Sequence, residues 1–275
     1  MPHLFRHKPQ CSRYYAWFQA LHTRVDLLLI GPLDEAEFGA AEAAVRAELD
    51  AVERMGNRFD PDSELARAVR TATVAAGSNA APNPSTAPGT AAAAGAAHLS
   101  SELFDLLSRC LRANRETEGL FDITVNSPAF RPGLIDAVHL TPDASNFGGT
   151  LSFSNLPRVT GEEREEMSAP IILDLSGILK GYALERLRRL LPAMGINDAL
   201  VNLGNSSILS LGNNPSDIAP GHCLTTSGNA TAARRHIRNP LTGTFVTGAR
   251  TVSVTTADAV DGEIASIVEF LRSNS

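Results

Sequence analysis

Apolar and polar positions follow several registers along this chain, and the register changes at recognisable stop signals. Residues 24–30, RVDLLLI, form the short apolar run of a strand, ended by Gly31 and Pro32. Asp34 stands three residues ahead of Glu37, the spacing of a capping box, so a helix is expected to start there. Within it Ala40, Ala44, Val45, Leu49, Val52 and Met55 recur near helical spacing, which predicts one packed face. A second helix is expected from Ser101 to near Gly119, capped by Ser100 or Ser101 and striped with Leu103, Leu106, Leu107, Cys110 and Leu111. The second half predicts a strand at 171–175, a helix at 179–194, and strands at 199–203, 207–211 and 223–226. Further strands near Phe245 and at 252–255 precede a last helix that runs to about Leu271. Turns such as 204–206 are too short for a crossover helix, so the strands they join are antiparallel and the fold class is α+β.

Two stretches break the pattern. From 71 to 97 the chain turns to Ala, Gly, Pro, Ser and Thr with almost no large apolar residue, so it is expected to be a disordered surface insertion. Between 131 and 168 the strand signals are weak, with LSF at 151–153. The charged run GEEREEM, 161–167, is expected to be a solvated turn or short helix.

Composition narrows the functional classes. An apolar content of 43% over 275 residues is ample for a buried core, and one domain is expected. The net charge is -6 and the 24 Lys and Arg are scattered, which leaves no basic stripe for a nucleic acid backbone. Cys11, Cys110 and Cys223 are far apart with no CxxC pair, and read as reduced thiols. The first residues show no apolar signal-peptide core and no lipobox, and no stretch is long enough to span a membrane, so a cytoplasmic location is expected.

The segment DLSGILKG, 174–181, carries the clearest chemistry. A strand delivers Asp174 to its carboxyl end, Ser176 and Gly177 turn the chain, and Lys180 falls in the first turn of the next helix. Helix amino termini offer free N–H groups and a positive dipole end, glycine permits close approach, and lysine adds a full charge. A polyphosphate suits that place, although the same pattern also describes an ordinary strand-turn-helix with a surface lysine.

Companion motifs occur in order along the chain: DSEL at 62–65, TEGLFDITV at 117–125, DLSGILKGYA at 174–183, ALVNLGN at 199–205, TSG at 226–228 and HIRNPLTG at 236–243. In these the chain resembles the FAD:protein FMN transferase (ApbE) family, over most of its length. The resemblance implies an ApbE-like, T-fold-related architecture of antiparallel sheets with packed helices. It implies transfer of the FMN moiety of FAD to a Thr or Ser hydroxyl of an acceptor flavoprotein, with AMP leaving and magnesium assisting. Gly119, Leu120 and Phe121 would line the flavin dinucleotide, Asp174 and Lys180 would contact the nucleotide, and His236 would sit near the reacting phosphate, with Asp174 and His236 the catalytic candidates.

The metal motif departs from the family. Its ADALAT-like helix start, where Asp and Thr four apart hold the metal, falls on GEIASI, 262–267. Glu263 stands for the Asp and Ile267 for the Thr, and Ile267 has no oxygen to offer. Ser266, three residues from Glu263 on the same helical face, is the candidate substitute, with the Gly177 carbonyl as a third ligand. The family's GGD turn is GNSS at 204–207, and the Asp of its HIxDP segment is Asn239. These changes bring in alternatives: a catalytically impaired FAD-binding or regulatory protein, a pyrophosphatase that gives FMN and AMP, or a scaffold without ligand.

Overall fold

The computed structural model describes residues 12–77, 96–144, 147–156, 158–160, 166–168, 170–229, 231 and 236–273. The strands in chain order are β1 (Ser12–Ala20), β2 (Thr23–Gly31), β3 (Ala97–Leu99), β4 (Val138–Pro142), β5 (Gly149–Phe153), β6 (Arg158–Thr160), β7 (Glu166–Ser168), β8 (Asp198–Leu203), β9 (Ser207–Leu211), β10 (Cys223–Asn229) and β11 (Arg250–Thr256). The helices are α1 (Glu35–Gly56), α2 (Glu64–Gly77), α3 (Ser101–Glu116), α4 (Leu179–Ala193) and α5 (Ala259–Arg272). The described residues form two compact units, each assembled from separated stretches. The first takes the described residues of Met1–Glu53, Gly177–Ala230 and Ala249–Ser273; the second takes those of Arg54–Ser176 and Thr231–Gly248.

The first unit is built on a six-stranded antiparallel sheet in the order β1-β2-β8-β9-β10-β11. Strand alternation sends Val25, Leu27, Leu29, Ala199, Val201, Leu203, Leu209 and Cys223 into the core. Helices α4 and α5 pack on each other, α4 against β9 and α5 against β10 and β11. On α1, Phe38 stacks on Tyr14 with centroids 4.9 Å apart, and the Arg46 guanidinium lies 3.7 Å over Phe18. The capping box forms as expected: Asp34 N–H donates to Glu37 and Glu37 N–H donates to Asp34, each at 2.9 Å. The buried stripe of α1 is Ala41, Val45, Leu49 and Val52, so Ala40, expected on that face, is exposed and Ala44 lies at its edge.

The second unit contains α2, α3, the sheet β3-β5-β4 and the ribbon β6-β7. Ser63 caps α2 through the Ala66 N–H, and Ser100 caps α3 through the Leu103 N–H. Glu64 reaches back to the Ser100 N–H at 2.7 Å and its hydroxyl at 3.0 Å, tying the two helix starts together.

Further expectations change. Residues 71–77 continue α2 and Ala97 opens β3, while 78–95 lie outside the described residues. The helix buries Leu65, Ala68 and Ala72, so small residues at helical spacing suffice for a packed face. Residues 171–175 do not join a sheet. Their backbone is instead held by Ser127, whose hydroxyl accepts the Ile172 N–H at 2.9 Å, and by the Ile123 carbonyl, which accepts the Asp174 N–H at 2.7 Å. In GEEREEM, Glu166 and Met167 lie in strand β7 rather than in a turn or helix, and 161–165 fall outside the described residues. Antiparallel pairing and the α+β class stand as expected. No helix among the described residues is long and apolar enough to cross a membrane.

Candidate functional site

The DLSGILKG segment passes from one unit to the other: Asp174 to Ser176 belong to the second, and Gly177 onward to the first.

In the first unit, the start of α4 meets α5 at a glycine. A Cβ on Gly181 would come 2.6 Å from the Ala259 carbonyl oxygen and 2.7 Å from Glu263 Cγ, so only glycine lets the helices approach this closely. Gly262 does the same for α5 against the sheet, where a Cβ would meet Thr256 Oγ1 at 2.6 Å and Thr225 Oγ1 at 2.8 Å. The start of α5 is fixed by Asp258, which accepts the Val260 and Asp261 N–H groups, and by Glu185 of α4, which accepts the Ala259 N–H at 2.8 Å.

This packing buries a polar cluster. Glu263 is 3% exposed, and Ser207 of β9 donates its hydroxyl to Glu263 Oε1 at 2.5 Å. Burial pushes the Glu263 carboxyl up to about 7, opposed by the Ser207 hydroxyl, the Lys180 charge and the Gly181 backbone N–H. Lys180 Nζ hydrogen-bonds the Ser206 hydroxyl. Ser206 belongs to the β8–β9 turn, where Asn205 takes a left-handed backbone (φ 58°) and its N–H donates to Asn202 Oδ1 at 2.9 Å. The GNSS turn therefore keeps the shape that a second glycine would give. Ser266 is fully buried; its hydroxyl pairs with Ser227 of β10 at 2.8 Å and donates to the Glu263 carbonyl at 3.1 Å. Ile267 packs its δ-methyl on Gly177, 3.1 Å from where a Cβ there would lie.

The expected ligand set for a divalent cation does not fit these contacts. Magnesium asks for oxygen donors in near-octahedral array. Ile267 offers a methyl over Gly177, Ser266 is committed to Ser227 and to its own helix, and Glu263 is held by Ser207. The structure thus brings Lys180 and Glu263 together, and it engages Ser266 and Gly177 with other partners.

In the second unit, Asp174 organises its own surroundings. Its Oδ2 accepts from Asn126 Nδ2 at 2.7 Å and lies 2.8 Å from Arg58 Nε, while Oδ1 accepts the Ser176 N–H at 2.9 Å. The Arg58 contact is an ion pair only, because its buried Nε–H is not aligned on the carboxylate and makes no hydrogen bond. At the end of α3, Thr117 donates to the Ala113 carbonyl at 2.7 Å and accepts the Phe121 N–H at 3.1 Å; Gly119 has φ 83°. Gly119 and Leu120 are partly exposed, whereas Phe121 is 5% exposed and its ring belongs to the core. Asp122 is buried, which pushes its carboxyl above the ordinary range, and it accepts both the Thr124 N–H and hydroxyl.

His236 is exposed just before a tight hairpin. Arg238 pins that hairpin, donating to the Gly243 carbonyl at 2.6 Å and to the Val125 carbonyl at 2.9 Å. Asn239 Oδ1 accepts the Leu241 N–H at 2.9 Å, a bond that an aspartate would make equally well, so the turn survives the loss of that carboxylate.

Sequence reading missed Ser206, Ser207, Ser227, Gly181, Arg58 and Arg238. Gly181 had a signal in DLSGILKG, and the serines had theirs in GNSS and TSG; their partners had none, because they are far away in the chain.

The sequence model of the ApbE family matches residues 21–273, through both units. An FAD:protein FMN transferase of Klebsiella pneumoniae (strain 342) is 28% identical over 186 residues, 64% of this chain, and the match spans about half the length of that relative, 47%. Among solved structures, the flavin transferase ApbE from Vibrio cholerae superposes with a TM-score of 0.69 at 18% identity, covering 95% of this chain and 87% of its own. The ApbE protein from Thermotoga maritima gives 0.67 at 17% identity, covering 96% and 88%. The structural likeness concerns the fold; the family match spans nearly all of the chain, and the chain belongs to the ApbE family.

Proposed function

We propose that this protein moves the FMN moiety of FAD onto a Thr or Ser hydroxyl of an acceptor flavoprotein. The acceptor oxygen attacks the FMN-side phosphorus, the bond from that phosphorus to the bridging oxygen breaks, AMP departs and the hydroxyl proton is lost. Such a displacement rests on positioning and charge neutralisation more than on covalent chemistry by the protein. The observation that carries the reading is Lys180, in the first turn of α4, anchored by Ser206 and accompanied by buried Glu263. Further support comes from membership of the ApbE family and from the relative of 28% identity described as an FAD:protein FMN transferase.

In this reading Lys180 binds a pyrophosphate oxygen. Asp174 holds Asn126 and the Ser176 N–H and so acts as a positioning residue; Gly119 and Leu120 line the dinucleotide, with Phe121 supporting them from the core. His236, exposed, is the group assigned to the reacting phosphate. Magnesium would supply further charge neutralisation in the family's chemistry. The donors in this chain do not fit it, and no step here runs through a cation.

The test is incubation with FAD and a candidate acceptor domain, with and without magnesium. Covalent flavin on the acceptor and stoichiometric AMP are expected. Free FMN with AMP would identify a pyrophosphatase instead, and FAD binding with neither product would identify a flavin-binding protein.

A further inference from the structure

In this chain the groups around the family's metal motif bond to one another. Glu263 takes the hydroxyl of Ser207, from the neighbouring sheet, at 2.5 Å. Ser266 takes Ser227 at 2.8 Å, again a bond from α5 to the sheet. Ile267, at the position where the family has threonine, lays its δ-methyl on Gly177, whose carbonyl was expected to be a ligand. The two hydroxyl bonds knit α5 to β9 and β10, and the isoleucine caps the turn before α4. A cation entering here would compete with Ser207 for Glu263 Oε1 and with Ser227 for the Ser266 hydroxyl, and it would still meet a methyl group in place of an oxygen. A fixed positive charge stands beside this cluster already: Lys180, bonded to Ser206, is close enough to Glu263 to stabilise its carboxylate.

We propose that this chain holds the pyrophosphate of its dinucleotide without a divalent cation, Lys180 supplying the positive charge while Ile267 and the Ser207–Glu263 and Ser227–Ser266 bonds close the position of the metal. The proposal rests on the flavin dinucleotide reading for its ligand. It makes Ile267 the residue that sets cation independence.

Two measurements on the full chain test it. In calorimetric titration with FAD, the affinity in EDTA and in magnesium chloride is expected to agree within about threefold, and Lys180→Ala to weaken it about tenfold or more in both, as for a charged hydrogen bond. A magnesium-dependent gain of about tenfold or more in the wild-type chain, removed by Glu263→Ala, would overturn the proposal. In manganese titration without FAD, followed by electron paramagnetic resonance, the wild-type chain is expected to leave the ion free. The double variant Glu263→Asp with Ile267→Thr is expected to take it up. Manganese uptake by the wild-type chain that Glu263→Ala abolishes would also overturn the proposal. If FAD binds in neither buffer, the flavin reading fails by itself, and the manganese titration still decides whether the metal position is closed.

Discussion

Gly181 and Glu263 depend on each other. The missing side chain of Gly181 leaves the space that the Glu263 methylenes occupy, and its N–H supports the carboxylate. Gly181→Ala would force a methyl to 2.6 Å from the Ala259 carbonyl, so the helices must part. Overpacking of this kind costs about 1–3 kcal/mol, and chemical denaturation is expected to show a loss of that size. The Glu263 carboxyl, pushed up to about 7 by burial, makes stability depend on pH. Its folded value lies above the unfolded one, so the native state binds the proton more tightly. The favourable contribution is complete below the unfolded value and is lost as pH rises through about 7. Glu263→Gln keeps an acceptor for Ser207 and removes the titration. Its melting temperature relative to wild type is therefore expected to rise between about pH 5 and about pH 8; a constant difference across that range would refute the assignment. The resemblance to family motifs pointed to Glu263 and Lys180 in the sequence. Their partners were not legible, because Ser207 reaches Glu263 across 56 positions and Ser227 reaches Ser266 across 39.

Elements were legible where their signals are local. Asp34 with Glu37 and Ser100 before α3 announced two helix starts that the structure reproduces. The same logic assigns weight to Asp258, which caps α5 through two N–H groups. Asp258→Ala is expected to lower stability by about 1 kcal/mol, read as a shift in denaturation midpoint with unchanged slope. Other elements depend on distant partners. Residues 171–175 have the composition of a strand, yet their N–H groups go to Ile123 and Ser127, so no ladder forms. Strand β1 escaped notice: it exposes Tyr15 and Trp17 on one side and only half buries Tyr14 on the other, which blurs its alternation. Helix α2 ran unnoticed into the alanine-rich stretch because its buried face is made of small residues.

At the scale of the whole molecule, chain order and sheet order diverge. Strand β2 ends at Gly31, and the strand that pairs with it on its inner side, β8, begins at Asp198. The sheet is finished at its far edge by β11 and covered there by α5, which buries Val260, Ile264, Val268, Phe270 and Leu271. A chain ended at Thr256 is expected to lose cooperative unfolding and to bind a hydrophobic dye, because β10 and β11 would keep no helix over their inner face. A chain of this length that retained a single sharp transition without α5 would contradict the packing described for the first unit. The gap between β2 and β8 also bears on biosynthesis. A ribosome releases Val25, Leu27 and Leu29 early, and the residues that pair with them follow only after most of the second unit has been made. Through that interval the nascent hairpin carries an unpaired strand edge beside an apolar face, the kind of surface that chaperones hold until its partner arrives.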